Sequence, residues 1–263
     1  MRSWRIAMAV KLCLVLAVLL VLPGCSEKKP EQKKELLVYC GITMIKPMTE
    51  IAKVIEREYG CKVLITKGGS GNLLRSIKSN MLGDLYLPGS SSYIQTCFEE
   101  GLVTDTAHVG FNKAAMMVKK GNPKGIPDSL DSLTDSNLLV AIGNPESGSI
   151  GRETKKILDR KGIFSKVASN VDKVTTDSKD LIRLLKDDEA DLVINWYATS
   201  TWPENRDSVT VLSIPEEYAG KKKLVLGLLR FSRYPDIAKS LMKYASGEEG
   251  RAIFNKYGLY DVK

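Results

Sequence analysis

Short apolar runs alternate with stretches of helical spacing along most of this chain, and that alternation admits few folds. Leu36-Leu37-Val38-Tyr39-Cys40, closed by Gly41, reads as a buried parallel strand. Met48, Ile51, Ala52 and Ile55 then recur on one helical face up to Gly60. Residues 61–66 predict a second strand, 73–81 a second helix, 84–87 a third strand closed by Pro88-Gly89, and 93–100 a third helix. Strands alternating with helices imply right-handed crossovers and a parallel sheet. In such a sheet, ligands bind beyond the carboxyl ends of the strands. Residues 40–43, 68–72 and 88–92 all fall at such ends.

A second set of elements follows. Strands are expected at 114–118, 138–142, 192–197, 209–214 and 224–231, and helices at 152–160, 180–186, 235–245 and 248–257. Two similar halves, each carrying a polar Gly/Ser turn, suggest two α/β lobes facing a cleft, each lobe a mostly parallel sheet flanked by helices.

The two turns carry the chemistry. Gly68-Gly69-Ser70-Gly71-Asn72 joins a strand-like run to a helix-like one, and Ser147-Gly148-Ser149-Ile150-Gly151 does the same in the second half. A helix start offers unpaired backbone N–H groups and the positive end of the helix dipole, so it attracts anions. Glycines let a ligand approach the backbone, and a serine adds a neutral hydroxyl donor.

The chain opens with Arg2, Arg5 and Lys11, an apolar run over 12–22, and Leu22-Pro23-Gly24-Cys25. A basic start, a short apolar core and a small residue at the cut site make a secretory signal. The core is short of the roughly 20 residues that span a bilayer. The cysteine after Gly24 resembles a bacterial lipobox, which implies a signal over 1–24, a lipidated Cys25 and an extracytoplasmic, membrane-anchored protein. Residues 26–35, SEKKPEQKKE, hold nothing to bury and complete a solvated tether over 25–35.

Removing 1–24 takes three positive charges from a formal +8, leaving +5. No basic stripe interleaved with aromatics appears, so nucleic-acid binding is not expected. Beyond Cys13 and Cys25 the cysteines are Cys40, Cys61 and Cys97, whose spacing matches no zinc pattern; Cys61 and Cys97 read as small core residues. His108 is the lone histidine and reads as part of a surface loop. With no second histidine and no Gly-x-Ser-x-Gly turn, neither an enzyme nor a cofactor is expected.

The order Leu37-Val38-Tyr39, Gly69-Ser70-Gly71, Asp84-Leu85-Tyr86-Leu87 resembles the solute-binding proteins of molybdate and tungstate ABC importers. Val118-Lys119-Lys120-Gly121-Asn122-Pro123-Lys124-Gly125, Glu189-Ala190-Asp191 and the ending Gly247-Glu248-Glu249-Gly250-Arg251-Ala252-Ile253-Phe254-Asn255-Lys256-Tyr257-Gly258 are similar to it as well. The resemblance implies a two-lobed periplasmic-binding-protein fold with the ligand in the interlobe cleft, lobe I being 36–112 plus 221–263 and lobe II 113–220. It implies a monomer that captures a tetrahedral oxyanion and delivers it to a membrane permease. Carried over position by position, the ligand-binding residues are Thr43, Ser70, Ser149, Ser178 and Tyr197, with Trp196 the alternative to Tyr197. Each hydroxyl has a plainer role open to it: Thr43 and Ser70 as helix caps, Ser149 as part of a flexible loop, and Asp177 rather than Ser178 as the cap of its helix. Cys40 and Gly41 stand where the family shows small residues such as alanine. A thiol there would suit an arsenic species. The alternative function is a lipid-anchored sensor that presents a bound oxyanion or arsenic species to a receptor.

Overall fold

The computed structural model describes residues 34–259. Among them, ten strands form two five-stranded mixed sheets. The first holds β1 (Glu35–Gly41), β2 (Lys62–Gly68), β3 (Leu85–Leu87), β4 (Val103–Asn112) and β10 (Lys222–Leu229), in the order β2-β1-β3-β10-β4. The second holds β5 (Ala114–Lys119), β6 (Val140–Gly143), β7 (Val171–Thr175), β8 (Leu192–Trp196) and β9 (Val209–Leu212), in the order β7-β6-β8-β5-β9. The two orders match. Three parallel strands with the earliest in the middle are extended by two antiparallel ones.

The parallel strands are joined by helices whose apolar faces lie on the sheet. Helix α1 (Ile45–Tyr59) buries Met48, Ile51, Ala52 and Ile55 and stops at Gly60, whose φ of 59° suits a glycine. Helices α2 (Ser70–Asn80) and α3 (Ser92–Glu99) cover the other face of the first sheet through Leu73, Leu74, Ile77, Tyr93 and Cys97. On the second sheet lie α4 (Ser149–Lys161), α5 (Phe164–Asn170) and α6 (Ser178–Lys186); α6 buries Leu181, Ile182, Leu184 and Leu185. Helices α7 (Pro235–Ser246) and α8 (Glu248–Lys256) return to the first sheet. Each sheet with its helices is one lobe of an α/β fold. The chain crosses between them at Lys113 and returns between Leu212 and Lys222.

Three elements differ from the sequence expectation. β4, β7 and α5 form where no strong apolar run marks them. β4 and β7 are edge strands with one paired neighbour each, so much of their length faces solvent and stays polar. His108 therefore sits in β4, opposite Val225, rather than in a loop, and its ring bonds the Gly110 carbonyl. The expected cleavage and lipidation sites, Gly24 and Cys25, lie outside the described residues; among the described residues no helix is long and apolar enough to cross a membrane. Cys40, Cys61 and Cys97 are all buried and unpaired.

Candidate functional site

The carboxyl ends of β1, β2 and β3 face those of β6, β7 and β8 across a closed cleft, and a cavity lies between them. From the first lobe it is lined by Gly41, Ile42 and Thr43, by Gly68, Gly69 and Ser70, and by Gly89. From the second come Gly148, Ser149 and Ile150, Asp177 and Ser178, and Trp196. The space open to the centre of a water-sized sphere is about 10 Å³, on the order of one water.

Three helix starts point into this space. Helix α2 begins at Ser70 after Gly69, which is extended and makes no side-chain cap. Helix α4 begins at Ser149 after Gly148 in the same manner. Helix α6 begins at Ser178, and here Asp177 does cap, its carboxylate accepting from the N–H groups of Lys179 at 2.8 Å and Asp180 at 3.3 Å. The first N–H groups of each helix have no intrahelical acceptor, so the cavity gathers several donors and three positive dipole ends. No lysine or arginine lines it, and Asp177 is the only ionisable side chain among the lining residues. Such a site holds an anion by aligned dipoles rather than by a countercharge.

The hydroxyls are held individually. Ser70 Oγ accepts from Gly89 N at 3.0 Å, while its carbonyl accepts from the Tyr86 hydroxyl at 2.7 Å. Ser149 Oγ accepts from Trp196 Nε1 at 3.2 Å. Thr43 sits in a short 3-10 turn, Ile42–Met44, where its Oγ1 accepts from Asn112 Nδ2 at 3.3 Å and donates to Met44 Sδ at 2.7 Å. Neither Thr43 nor Ser70 caps a helix. Asp177 is the cap of its helix, as one of the sequence alternatives had it.

Four of the five sequence-derived residues, Thr43, Ser70, Ser149 and Ser178, line the cavity together. Tyr197 is not among the lining residues; Trp196 is, and Tyr197 instead opens the 3-10 turn Tyr197–Thr201. Cys40 is fully buried in the first lobe's core, and burial pushes its thiol pKa far up. It is Gly41, not Cys40, that meets the cavity, so no thiol is presented there. His108 takes no part in the lining. Sequence reasoning missed Asn112, whose fully buried amide also donates to the Gly89 carbonyl at 3.1 Å. An asparagine between Phe111 and Lys113 gives no local signal of that role.

Closure brings backbone against backbone. A Cβ on Gly69 would lie 2.4 Å from the Ser147 carbonyl and 2.6 Å from that of Thr176, and one on Gly89 would lie 2.3 Å from Ser149 Oγ. Asn72 N donates to Ser147 O at 3.2 Å, Arg75 reaches Glu146 O at 3.1 Å, and Lys46 pairs with Glu204 at 2.8 Å, all across the cleft. A larger groove, of about 380 Å³, runs along α6 between Lys179, Arg183, Lys186 and Glu204. Its charges are of both signs, with Arg183 on Asp187 and Lys186 on the Glu204 carbonyl.

Three comparisons bear on this arrangement. A family model described as bacterial extracellular solute-binding protein matches residues 36–260. A Haemophilus influenzae protein, named only provisionally as a binding protein, is 26% identical over 232 residues, covering 88% of this chain and 93% of its own. Among solved structures, the periplasmic molybdate-binding protein of Azotobacter vinelandii superposes with a TM-score of 0.74 at 14% identity, covering 87% of this chain and all of that one. A periplasmic thiamin-binding protein superposes with a TM-score of 0.73 at 17% identity, over 89% and 86% of the two chains. At such identities the structural likeness speaks for the fold alone, and its members carry unlike ligands.

Proposed function

For a chain that belongs to the bacterial extracellular solute-binding proteins, we propose that the interlobe cavity captures a small tetrahedral oxyanion, molybdate or tungstate, for delivery to an ABC permease. The lobes in this reading are 36–112 with 221–263, and 113–220, and the protein is tethered by a lipid on Cys25. The observation that carries it is the convergence of three helix starts and the hydroxyls of Thr43, Ser70 and Ser149 on a small cavity, with room on the order of one water, without one basic side chain. A space of that size favours a compact inorganic ion over an organic cation such as thiamin. Ligand contacts with both lobes would favour the closed form, so binding acts by shifting the open–closed population.

Thermal unfolding of the ligand-free protein against molybdate, tungstate, sulfate, phosphate, arsenate and arsenite tests this. A ligand at 100 times its Kd that binds only the native state adds about 2.7 kcal/mol of stability. A large shift with molybdate and tungstate is expected. A shift with arsenite alone, or with none of the six, would sink the proposal.

A further inference from the structure

Helix α4, whose start at Ser149 faces the cavity, is fastened to the first lobe by two consecutive side chains. The Arg152 guanidinium lies over the Tyr93 ring of α3, 3.9 Å from its centroid. Glu153 Oε1 lies 3.0 Å from Nζ of Lys222, the first residue of β10. The two anchor points are joined in turn, because Ser91, just before α3, donates its N–H to the Lys223 carbonyl at 3.0 Å. Two residues before Ser91 is Gly89, which meets Ser149 so closely that a Cβ would lie 2.3 Å from its Oγ. These contacts frame the α4 start, with Lys222 at the point where the chain re-enters the first lobe.

Within the frame the two charges are unequally placed. The Glu153 side chain is 4% exposed and that of Lys222 22%. Their contact is off the direction of a hydrogen bond, and no donor among the described residues hydrogen-bonds Glu153 Oε1. That oxygen therefore relies on coulombic attraction, while the ammonium can still reach water. Four residues separate Glu153 from Ser149, a rise of about 6 Å along the helix. A bare carboxylate there would offset the positive dipole end that attracts an anion.

We propose that Glu153 and Lys222 are positioning residues that fix the α4 start against the crossing strand β10, Lys222 supplying the countercharge that lets a buried carboxylate stand behind an anion site. For its effect on binding, the proposal rests on the anion-site reading above. A bridge that served packing alone would lose similar affinity whichever partner was removed. This pair is asymmetric. Removing Lys222 strands a buried charge, which is the costly way to break a buried ion pair. Removing the charge of Glu153 leaves an ammonium that water can solvate.

The test measures the Kd for molybdate and the unfolding midpoint of the ligand-free protein, in the wild type, Lys222→Met, Glu153→Gln and the double variant. Lys222→Met should weaken molybdate by about tenfold or more, as an uncompensated like charge on the order of 10 Å away would, and should lower the midpoint. Glu153→Gln should bind at least as tightly as the wild type. The double variant, with neither charge, should regain most of both losses. Unchanged molybdate binding in Lys222→Met overturns the proposal. So does an equal loss in the two single variants, or a double variant as weak as Lys222→Met, which is what a packing role would give. A wild type that binds no molybdate is the separate failure of the functional reading, and the midpoints then decide the pair by themselves. A midpoint lowered in Lys222→Met and restored in the double variant upholds it; one that is unaltered, or not restored, overturns it.

Discussion

The two serine-led helix starts look alike in sequence and are secured by different means. Ser70 is held by a main-chain amide, that of Gly89, and its carbonyl by the Tyr86 hydroxyl. Ser149 is held by one side chain, the Trp196 indole. The first arrangement follows from how β3 ends beside α2 and survives any substitution that keeps the fold. The second depends on the identity of a single residue. One lobe therefore supplies a fixed half of the site and the other a half that a point substitution can retune. The third start, at Ser178, is different again, since its cap is the neighbouring carboxylate of Asp177.

The largest effect that would break this comparison is steric. Gly69→Val places side-chain atoms where the Ser147 and Thr176 carbonyls already lie within 2.6 Å of a Cβ. Closure should fail, and anion affinity should drop by about 100-fold or more because the competent state is scarcely populated. Calorimetric titration and small-angle scattering would see a weak binder that stays open with anion, while a closed, tight-binding variant would refute the steric role. A smaller effect sharpens the difference between hydroxyl and backbone donors. Ser70→Ala should cost about 1–3 kcal/mol of binding because it also strips the buried Gly89 amide of its acceptor. Ser178→Ala, whose backbone N–H is the useful group, should stay within about 0.5 kcal/mol. Equal losses at the two positions would show that both act through their side chains. The smallest effect concerns the capped start. Asp177→Ala should lower unfolding stability by about 0.5–2 kcal/mol through loss of its helix cap. Denaturant titration reads this directly, and an unchanged midpoint would deny the cap its role.

Much of this was legible in the chain. Within the parallel parts of the two sheets, β1, β3, β6 and β8 are largely buried and leave continuous apolar runs such as Leu36–Cys40 and Leu192–Trp196. Helix starts at Gly69-Ser70 and Gly148-Ser149 follow from turn chemistry that one can read locally. The edge strands β4 and β7 were not legible, because a strand with one face in solvent spells a weak pattern. Choosing between Trp196 and Tyr197 needed the last turn of β8 in three dimensions: the two residues are adjacent, and only the fold decides which one ends the strand facing Ser149. Asn112 was invisible for a related reason, since its partners Thr43 and Gly89 lie 69 and 23 residues away.

Part of what holds the cleft shut makes no use of a ligand. Asn72 on Ser147, Arg75 on Glu146 and Lys46 on Glu204 join the lobes directly. A membrane partner that responds to the shut form reads occupancy only to the extent that empty molecules stay open. If the protein delivers its ligand to a membrane permease as proposed, these contacts would set the background signal of that partner. The Lys46–Glu204 pair, with its glutamate half exposed, contributes about 0–1 kcal/mol, which keeps that background low. Strengthening it with a second ion pair across the same rim would yield a protein that announces cargo it does not carry.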